Sequence, residues 1–357
     1  MKSHIVAVVN SQLEYWRREF HASVILKDET FRETVASLVS KGFTPVIQLD
    51  NDPMEFDFLK SLPEKSVIGW AYADESLDLD FAARISDIKA LAILLRPYHL
   101  NEFKISNLVS SAKYVASNLD NLASTEERLK LILWFFRGIA LSSREQRIRG
   151  MYKKANLDFI NFPLGYTDVF STSLVNHIGI EMEELSRSHL DLRIRPIGEI
   201  EYDLAFVGQV GQVVRAAAIN AARDVVSSKI ITRSGYGAGS LLNAGVKEKG
   251  IEYLSIALKS KYILCPPGNI SGNSFRIHET VVLGKIPIVL SHIASDPNFI
   301  SPFEIKNTLN KSRGWKESIR VFTDMSEKDY ILQVKANLLT FRNQVNETRT
   351  VITSLLR

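Results

Sequence analysis

Two runs in the first hundred residues, Val67 to Ala71 and Leu91 to Leu95, are short, apolar on both faces and bounded by polar residues or proline. A strand that buries both faces needs cover on both, and the central strands of a parallel sheet packed between helices meet that condition. The neighbouring segments fit the same scheme. Ile5 to Val9 is a β-rich run ending at Asn10, Phe31 to Lys41 has helical spacing and stops at Gly42, and Thr44 to Leu49 is again strand-like. The first half therefore reads as a series of βα units, a Rossmann-type layer. Ser124 with Glu127 forms a capping box ahead of Leu129 to Ile139, which predicts a helix start there, followed by a basic stretch.

A proline and a glycine fall in Asn161 to Ser171, and the next thirty residues are polar with weak periodicity, so the inter-domain connection is expected here. The βαβ rhythm then restarts. Asp203 to Val207 reads as a strand, Gly208 to Gly211 as a turn, Val213 to Val226 as a helix and Lys229 to Thr232 as a strand. It continues through a helical pattern at Tyr253 to Leu258, a strand at Tyr262 to Cys265, a helix at Phe275 to Leu283 and a strand at Ile286 to Leu290. Helical spacing resumes at Ser326, where Ser326 and Asp329 make a second Ser-x-x-Asp start. The expected division is an N-terminal Rossmann-like domain over 1–165, a connecting segment over 166–200, a second Rossmann-like domain over 201–325 and C-terminal helices over 326–357. Two such layers in series predict a ligand cleft between them, facing the carboxyl ends of the parallel strands.

Composition narrows the partners without naming one. There are 44 basic and 40 acidic residues, a formal net charge of +4, too small and too evenly spread to indicate nucleic acid. The single cysteine, Cys265, has no internal disulfide partner, and no Cys/His cluster has zinc-ligand spacing, so a reducing compartment and no structural metal are expected. No secretory apolar region opens the chain. The longest wholly apolar runs, such as Leu131 to Phe136, fall far short of the roughly 20 residues that cross a bilayer. The expected location is cytoplasmic.

Chemistry concentrates in Ser260 to Val289, SKYILCPPGNISGNSFRIHETVVLGKIPIV. A strand ending at Cys265 opens into a loop of Pro266, Pro267, Gly268, Asn269, Ser271, Gly272 and Asn273, and a helix begins near Ser274. Free backbone N–H groups and the positive end of the helix dipole favour a phosphate there, with Ser271 and Ser274 as hydroxyl donors. Arg276 in the first turn can add a bidentate fork. Ser274 is equally a plain N-cap, and the glycines a plain turn. Glu279 follows Arg276 at i, i+3 on the same helix face, where a carboxylate can accept both hydroxyls of a ribose. Gly208 and Gly211 let the backbone approach a ligand closely, Arg215 can neutralise a phosphate, and Arg233 and Ser234 end the next strand at the equivalent edge.

These residues resemble a known family. Glu279, Gly284, Pro287 and Ile288-Val289, after a Gly-rich loop that follows a strand, resemble the nucleotide-sugar half of GT-B glycosyltransferases. More narrowly, SKYILCPPG, then Ser274 and Arg276, then GKIPIVLS resemble the exostosin-like group. DLAFVGQVGQVVR is similar to the start of its donor domain, and WKESIRV, Trp315 to Val321, looks like one of its strands, with Glu317 at a usually aromatic position. Lys285 stands where the group has Cys. His278 and Glu279 lie side by side at its acidic position, which leaves open which of the two meets the donor. The likeness covers about Asp203 to Val321.

The resemblance implies a GT-B fold, two Rossmann-like domains with parallel sheets facing a central cleft. It implies transfer of a sugar from a nucleotide-diphosphate donor to a glycan or lipid-linked acceptor hydroxyl, inverting and metal-independent, in surface polysaccharide synthesis. No cofactor is implied beyond the donor. The donor residues it implies are Gly208, Arg215, Arg233, Ser234, Gly268, Asn269, Ser271, Asn273, Ser274, Arg276, His278 and Glu279. Arg276 would stabilise the leaving diphosphate, and a base would come from the N-terminal half. Asp74 is the first candidate for that base and His99 the next, both at strand carboxyl ends, with Glu75 and His21 behind them. His292 and Asp296 can touch the sugar, although Asp296-Pro297 is also a turn signal. The basic residues Arg137, Arg144, Arg147, Arg149, Lys153 and Lys154, in the 137–154 stretch, suit either solvent or an anionic membrane surface. A non-catalytic nucleotide- or sugar-binding module, a retaining GT-B enzyme and an epimerase are the alternatives.

Overall fold

The structure is a computed structural model that describes residues 4–71, 78–97, 112, 115–116, 118–178, 200–210, 213–224, 227–233, 246–266, 274–289, 315–316, 319–320 and 324–356. The fold is α/β, with two sheets whose strand pairs are all parallel. The chain divides into two compact units. Unit 1 takes Met1–His99, Ser143–Asp168 and Arg342–Arg357; unit 2 takes Leu100–Ser142 and Val169–Phe341.

Unit 1 carries six strands, β1 (Val6–Val9), β2 (Ser23–Leu26), β3 (Val46–Leu49), β4 (Val67–Ala71), β5 (Leu91–Pro97) and β6 (Phe159–Phe162), in the order β2-β1-β3-β4-β5-β6. Every residue of β1, β3 and β4 is buried, as strands covered on both faces require. The connecting helices are α1 (Leu13–Glu19), α2 (Phe31–Ser40), α3 (Pro53–Ser61) and α4 (Leu79–Ser86). Local chemistry starts two of them. The Asp52 carboxylate accepts from the Met54 N–H with Pro53 at the first helical position, and Asp78 accepts from the N–H groups of Asp80 and Phe81. An aromatic core of Trp16, Phe20, Trp70 and Phe162 packs against the sheet, with Trp16 and Phe162 stacked at 5.1 Å.

Unit 2 carries β7 (Tyr202–Gln209), β8 (Ser228–Arg233), β9 (Ser260–Leu264) and β10 (Ile286–Ile288) in the order β10-β9-β7-β8. Two long helices pass from one unit's residues to the other's, α5 (Thr125–Lys154) and α10 (Glu327–Ser354). The remaining helices are α6 (Asp168–Ile178), α7 (Val213–Arg223), α8 (Val246–Leu258) and α9 (Phe275–Val282). In each unit the first strand lies between the second and the third. The chain therefore steps one way across the sheet and then reverses, which opens a crevice at the carboxyl ends of the first and third strands. These switch points are β1/β3 in unit 1 and β7/β9 in unit 2.

Several local expectations change. The basic stretch expected after the helix at Leu129 to Ile139 is the second half of α5 itself, a single helix of 30 residues. The chain passes between the units after His99, within α5, after Asp168 and within α10; the passage after Asp168 falls close to the boundary expected at 165, whereas those inside α5 and α10 leave no linker signal because the helix is unbroken. Phe159–Phe162, next to the expected connection, is the edge strand β6. Gly208 lies inside β7, which runs on to Gln209. Trp315, Lys316, Ile319 and Arg320 are helical where a strand was expected, with the Asp324 N–H donating to the Arg320 carbonyl. Among the described residues no helix is long and apolar enough to cross a membrane.

Candidate functional site

The β7/β9 switch point gathers Gly208, Ser274, Arg276 and Glu279 of the sequence-derived donor set. β7 delivers Gly208 to the carboxyl edge, β9 delivers Cys265, and α9 begins directly above with Ser274 at its N-cap. Arg276, in the first turn, lays its guanidinium across Gly208. A Cβ built on that glycine would come within 2.8 Å of one terminal nitrogen and 3.1 Å of the other. Two rings hold the guanidinium from its faces, Phe206 at 5.0 Å and Tyr253 of α8 at 5.8 Å. Among the described residues nothing else meets the guanidinium, which leaves the N–H edge of the fork for an anion.

Around that cation the chemistry is quiet. Burial keeps the Cys265 thiol protonated, pushing its pKa up to about 12, so it is not a nucleophile. The Tyr253 hydroxyl is pushed well up, first by burial and then by the negative charge of Glu279, while the Arg276 charge opposes both. The Thr280 hydroxyl donates to the Arg276 carbonyl at 2.6 Å, closing the turn from inside. Ser274 has the extended backbone of an N-cap, yet its hydroxyl caps nothing, and its buried Oγ makes no hydrogen bond among the described residues. Among the described residues, then, no side chain takes the N–H groups at the end of α9 or the Ser274 hydroxyl.

His278 and Glu279, the two alternatives at the acidic position, separate. The His278 imidazole packs on Phe341 of α10 at 5.6 Å and is only 1% exposed; burial lowers its pKa to about 4, so it is a neutral core residue turned away from Arg276. Glu279 is on the Arg276 side, near enough to Tyr253 and Cys265 to raise both their pKa values. Arg215 lies in the first turn of α7, half-buried at the same carboxyl edge. Arg233 ends β8, paired in register with Gln209. Ser234, Gly268, Asn269, Ser271 and Asn273 lie outside the described residues, as do Asp74, Glu75, His99, His292 and Asp296. His21 is exposed between α1 and β2, at the amino edge of the sheet of unit 1, and so at the wrong end of the strands for a base. The ring clamp of Phe206 and Tyr253 has no signature in the sequence, since each reads as an ordinary core aromatic.

No protein-family model, curated protein or solved structure matches the chain.

Proposed function

We propose that the β7/β9 switch point binds the diphosphate of a nucleotide sugar and that the protein is a GT-B glycosyltransferase of the exostosin-like kind. The observation that carries this reading is the Arg276 guanidinium, clamped over Gly208 beside an α9 N-terminus whose Ser274 hydroxyl bonds nothing among the described residues. A helix N-terminus with a forked cation suits phosphate oxygens, and Glu279 lies one turn further on for the ribose hydroxyls. The chemistry follows from the group bound. An acceptor hydroxyl attacks the anomeric carbon on the face opposite the diphosphate, the bond from that carbon to the diphosphate oxygen breaks, and Arg276 meets the charge that develops there. The acceptor proton passes to a base from the N-terminal half, for which Asp74 and His99 are the candidates. The acceptor is a glycan or a lipid-linked sugar, and α5 supports contact with an anionic membrane surface on the cytoplasmic side. In this reading no metal is needed.

Isothermal titration with UDP, GDP and ADP tests the site. Charge-assisted hydrogen bonds contribute about 1.5–3 kcal/mol each, so Arg276→Ala should weaken the nucleotide that binds by at least tenfold, with the fold intact. Equal affinity in wild type and variant would remove the assignment. Donor turnover by the wild type then separates an enzyme from a module that only binds.

A further inference from the structure

In unit 1 the ends of β2 and β3 and the first turn of α3 meet around one buried cation. The Lys27 ammonium, directly after β2 and 6% exposed, donates to the Gln48 carbonyl at 2.7 Å, the Asp50 carboxylate at 2.7 Å and the Glu55 carboxylate at 2.6 Å. Its three protons are all used. The Phe31 ring at the start of α2 covers the cation at 5.2 Å. Gln48 carries the network on to β1, since its Oε1 accepts from the Asn10 N–H at 3.0 Å and from the Ser11 hydroxyl at 2.9 Å. Three strand ends and one helix start are thus tied together through Lys27 and Gln48.

The charges in this network do not balance. Two carboxylates share one ammonium, which leaves a surplus negative charge on the cluster. The Asp50 side chain is 35% exposed and keeps water, whereas that of Glu55 is 3% exposed and cannot. A buried charge without a partner of its own is costly, and two like charges held on one site drive one of them to take up a proton. Burial makes Glu55 the one that takes it.

The neighbouring charges leave that balance alone. Arg84 of α4 lies over the Phe56 ring at 5.7 Å and donates to the Asn51 side chain at 3.4 Å, and Arg32 of α2 lies over the Phe31 ring at 6.0 Å. Among the described residues neither pairs with Glu55. On α3 itself the Asp52 carboxylate is engaged as the cap, accepting from the Met54 N–H. Glu55 thus answers to Lys27 from β2 and Asp50 from β3. Its carboxyl is raised from the ordinary 4.5 to about 7, by burial first; the charge and hydrogen bond of Lys27 oppose the rise, the charge of Asp50 adds to it, and the Asp50 N–H opposes it again.

We propose that Lys27, Asp50 and Glu55 form a proton-operated clasp in unit 1, closed while Glu55 holds a proton and loosened once Glu55 is ionised. Linkage sets its direction. A carboxyl that binds its proton more tightly in the folded chain stabilises the fold fully below the unfolded value, and that stabilisation is lost as pH rises from 4.5 through about 7. The clasp therefore loosens on the alkaline side, whereas an ordinary salt bridge lets go in acid. The segments it frees are the turn from β3 into α3 and, through Gln48, the turn after β1. None of this depends on what unit 2 binds.

Two measurements on the intact chain test the clasp. In a carbon-13-labelled sample the Glu55 side-chain carboxyl carbon, assigned through its own backbone correlations, should titrate with a midpoint of about 7. Hydrogen exchange, corrected for the intrinsic rate at each pH, should show protection over Leu49 to Phe56 falling by about tenfold or more between pH 5 and pH 8. Glu55→Gln keeps the shape without the charge and should show the same protection at both. A midpoint below pH 5, or protection that stays constant while Glu55 titrates near neutrality, would overturn the clasp on the wild type alone, whether or not the variant folds. So would an equal fall of protection in Glu55→Gln, since the proton would then lie elsewhere.

Discussion

Gly208 shows how a single missing methyl group shapes the site of unit 2. Its backbone is ordinary β-strand, so alanine is allowed by φ and ψ, and the only cost is contact with the Arg276 nitrogens and the Phe206 ring at 3.2 Å. The guanidinium is the end of a flexible chain and moves first. Gly208→Ala should therefore fold normally and weaken nucleoside diphosphate binding about tenfold, one charged contact's worth. Adding Arg276→Ala to it should cost no more than Arg276→Ala alone, because the two changes remove one contact. Titration of the four proteins checks this, and additive losses would contradict it. The place of Arg276 in the first turn of α9 was legible from its spacing after Ser274. Gly208 was legible as a place of close approach, but to a ligand, whereas the group that comes close is the protein's own arginine.

His278 makes the other residue-scale prediction. Burial keeps it neutral with a folded pKa of about 4, against about 6.5 in an unfolded chain. Between those values the unfolded state binds a proton that the folded state refuses, so its contribution to stability is present above about pH 6.5 and lost as pH falls toward 4, by about 3 kcal/mol in all. Urea denaturation of wild type and His278→Phe at pH 7.5 and 4.5 measures it. The wild type should lose more stability on acidification than the variant, which keeps the ring contact with Phe341 without the proton. Equal acid sensitivity would place the imidazole in solvent.

Among the elements, α5 divides what sequence can announce from what it cannot. Its start was legible because the signal is local: the Glu127 N–H donates to Ser124 Oγ at 3.1 Å, and Glu127 Oε2 accepts from the N–H groups of Ala123 and Ser124. Its length was not, since a helix continues by default until something breaks it, and the basic residues after Ile139 break nothing. The edge strands β2 and β6 were missed for a related reason, as four residues with half-exposed faces carry no period to read. The length of α5 has a consequence. Leu129, Leu133 and Phe136 are exposed, the last by 59%, and recur at i, i+4, i+7; Arg144, Arg147 and Lys154 continue the same helical face. An apolar stretch followed by a basic one suits the boundary of an anionic bilayer. The protein should sediment with vesicles of phosphatidylglycerol and phosphatidylcholine and much less with phosphatidylcholine alone. Leu133→Ser with Phe136→Ser should abolish sedimentation, and retention by that variant would leave the face to solvent.

At the scale of the whole chain, the restart of the βαβ rhythm near Asp203 was legible because two parallel sheets each need their own run of buried strands. The assignment of the ends was not, because which sheet a helix covers is settled by packing and not by period. The last sixteen residues illustrate this, since they belong to unit 1 although they follow unit 2 in sequence. There Val345 and Ile352 are buried, the Arg349 guanidinium donates to the Glu19 carbonyl at 3.5 Å, and the charges of Arg342 and Arg349 restrain a buried Glu19 carboxyl that burial pushes up. Glu19 in turn accepts from the Tyr166 hydroxyl at 3.1 Å, beside the aromatic core. Ending the chain at Phe341 thus removes two buried aliphatic side chains, at about 1.5–3 kcal/mol each, and both cations from a buried carboxylate. Hydrogen exchange should report the loss where the contacts were. Amides of β1, β3 and β4 should exchange at least tenfold faster in the shortened chain while those of β7 and β9 keep their rates, and equal acceleration in both sheets would mean that the last helix serves the two units alike.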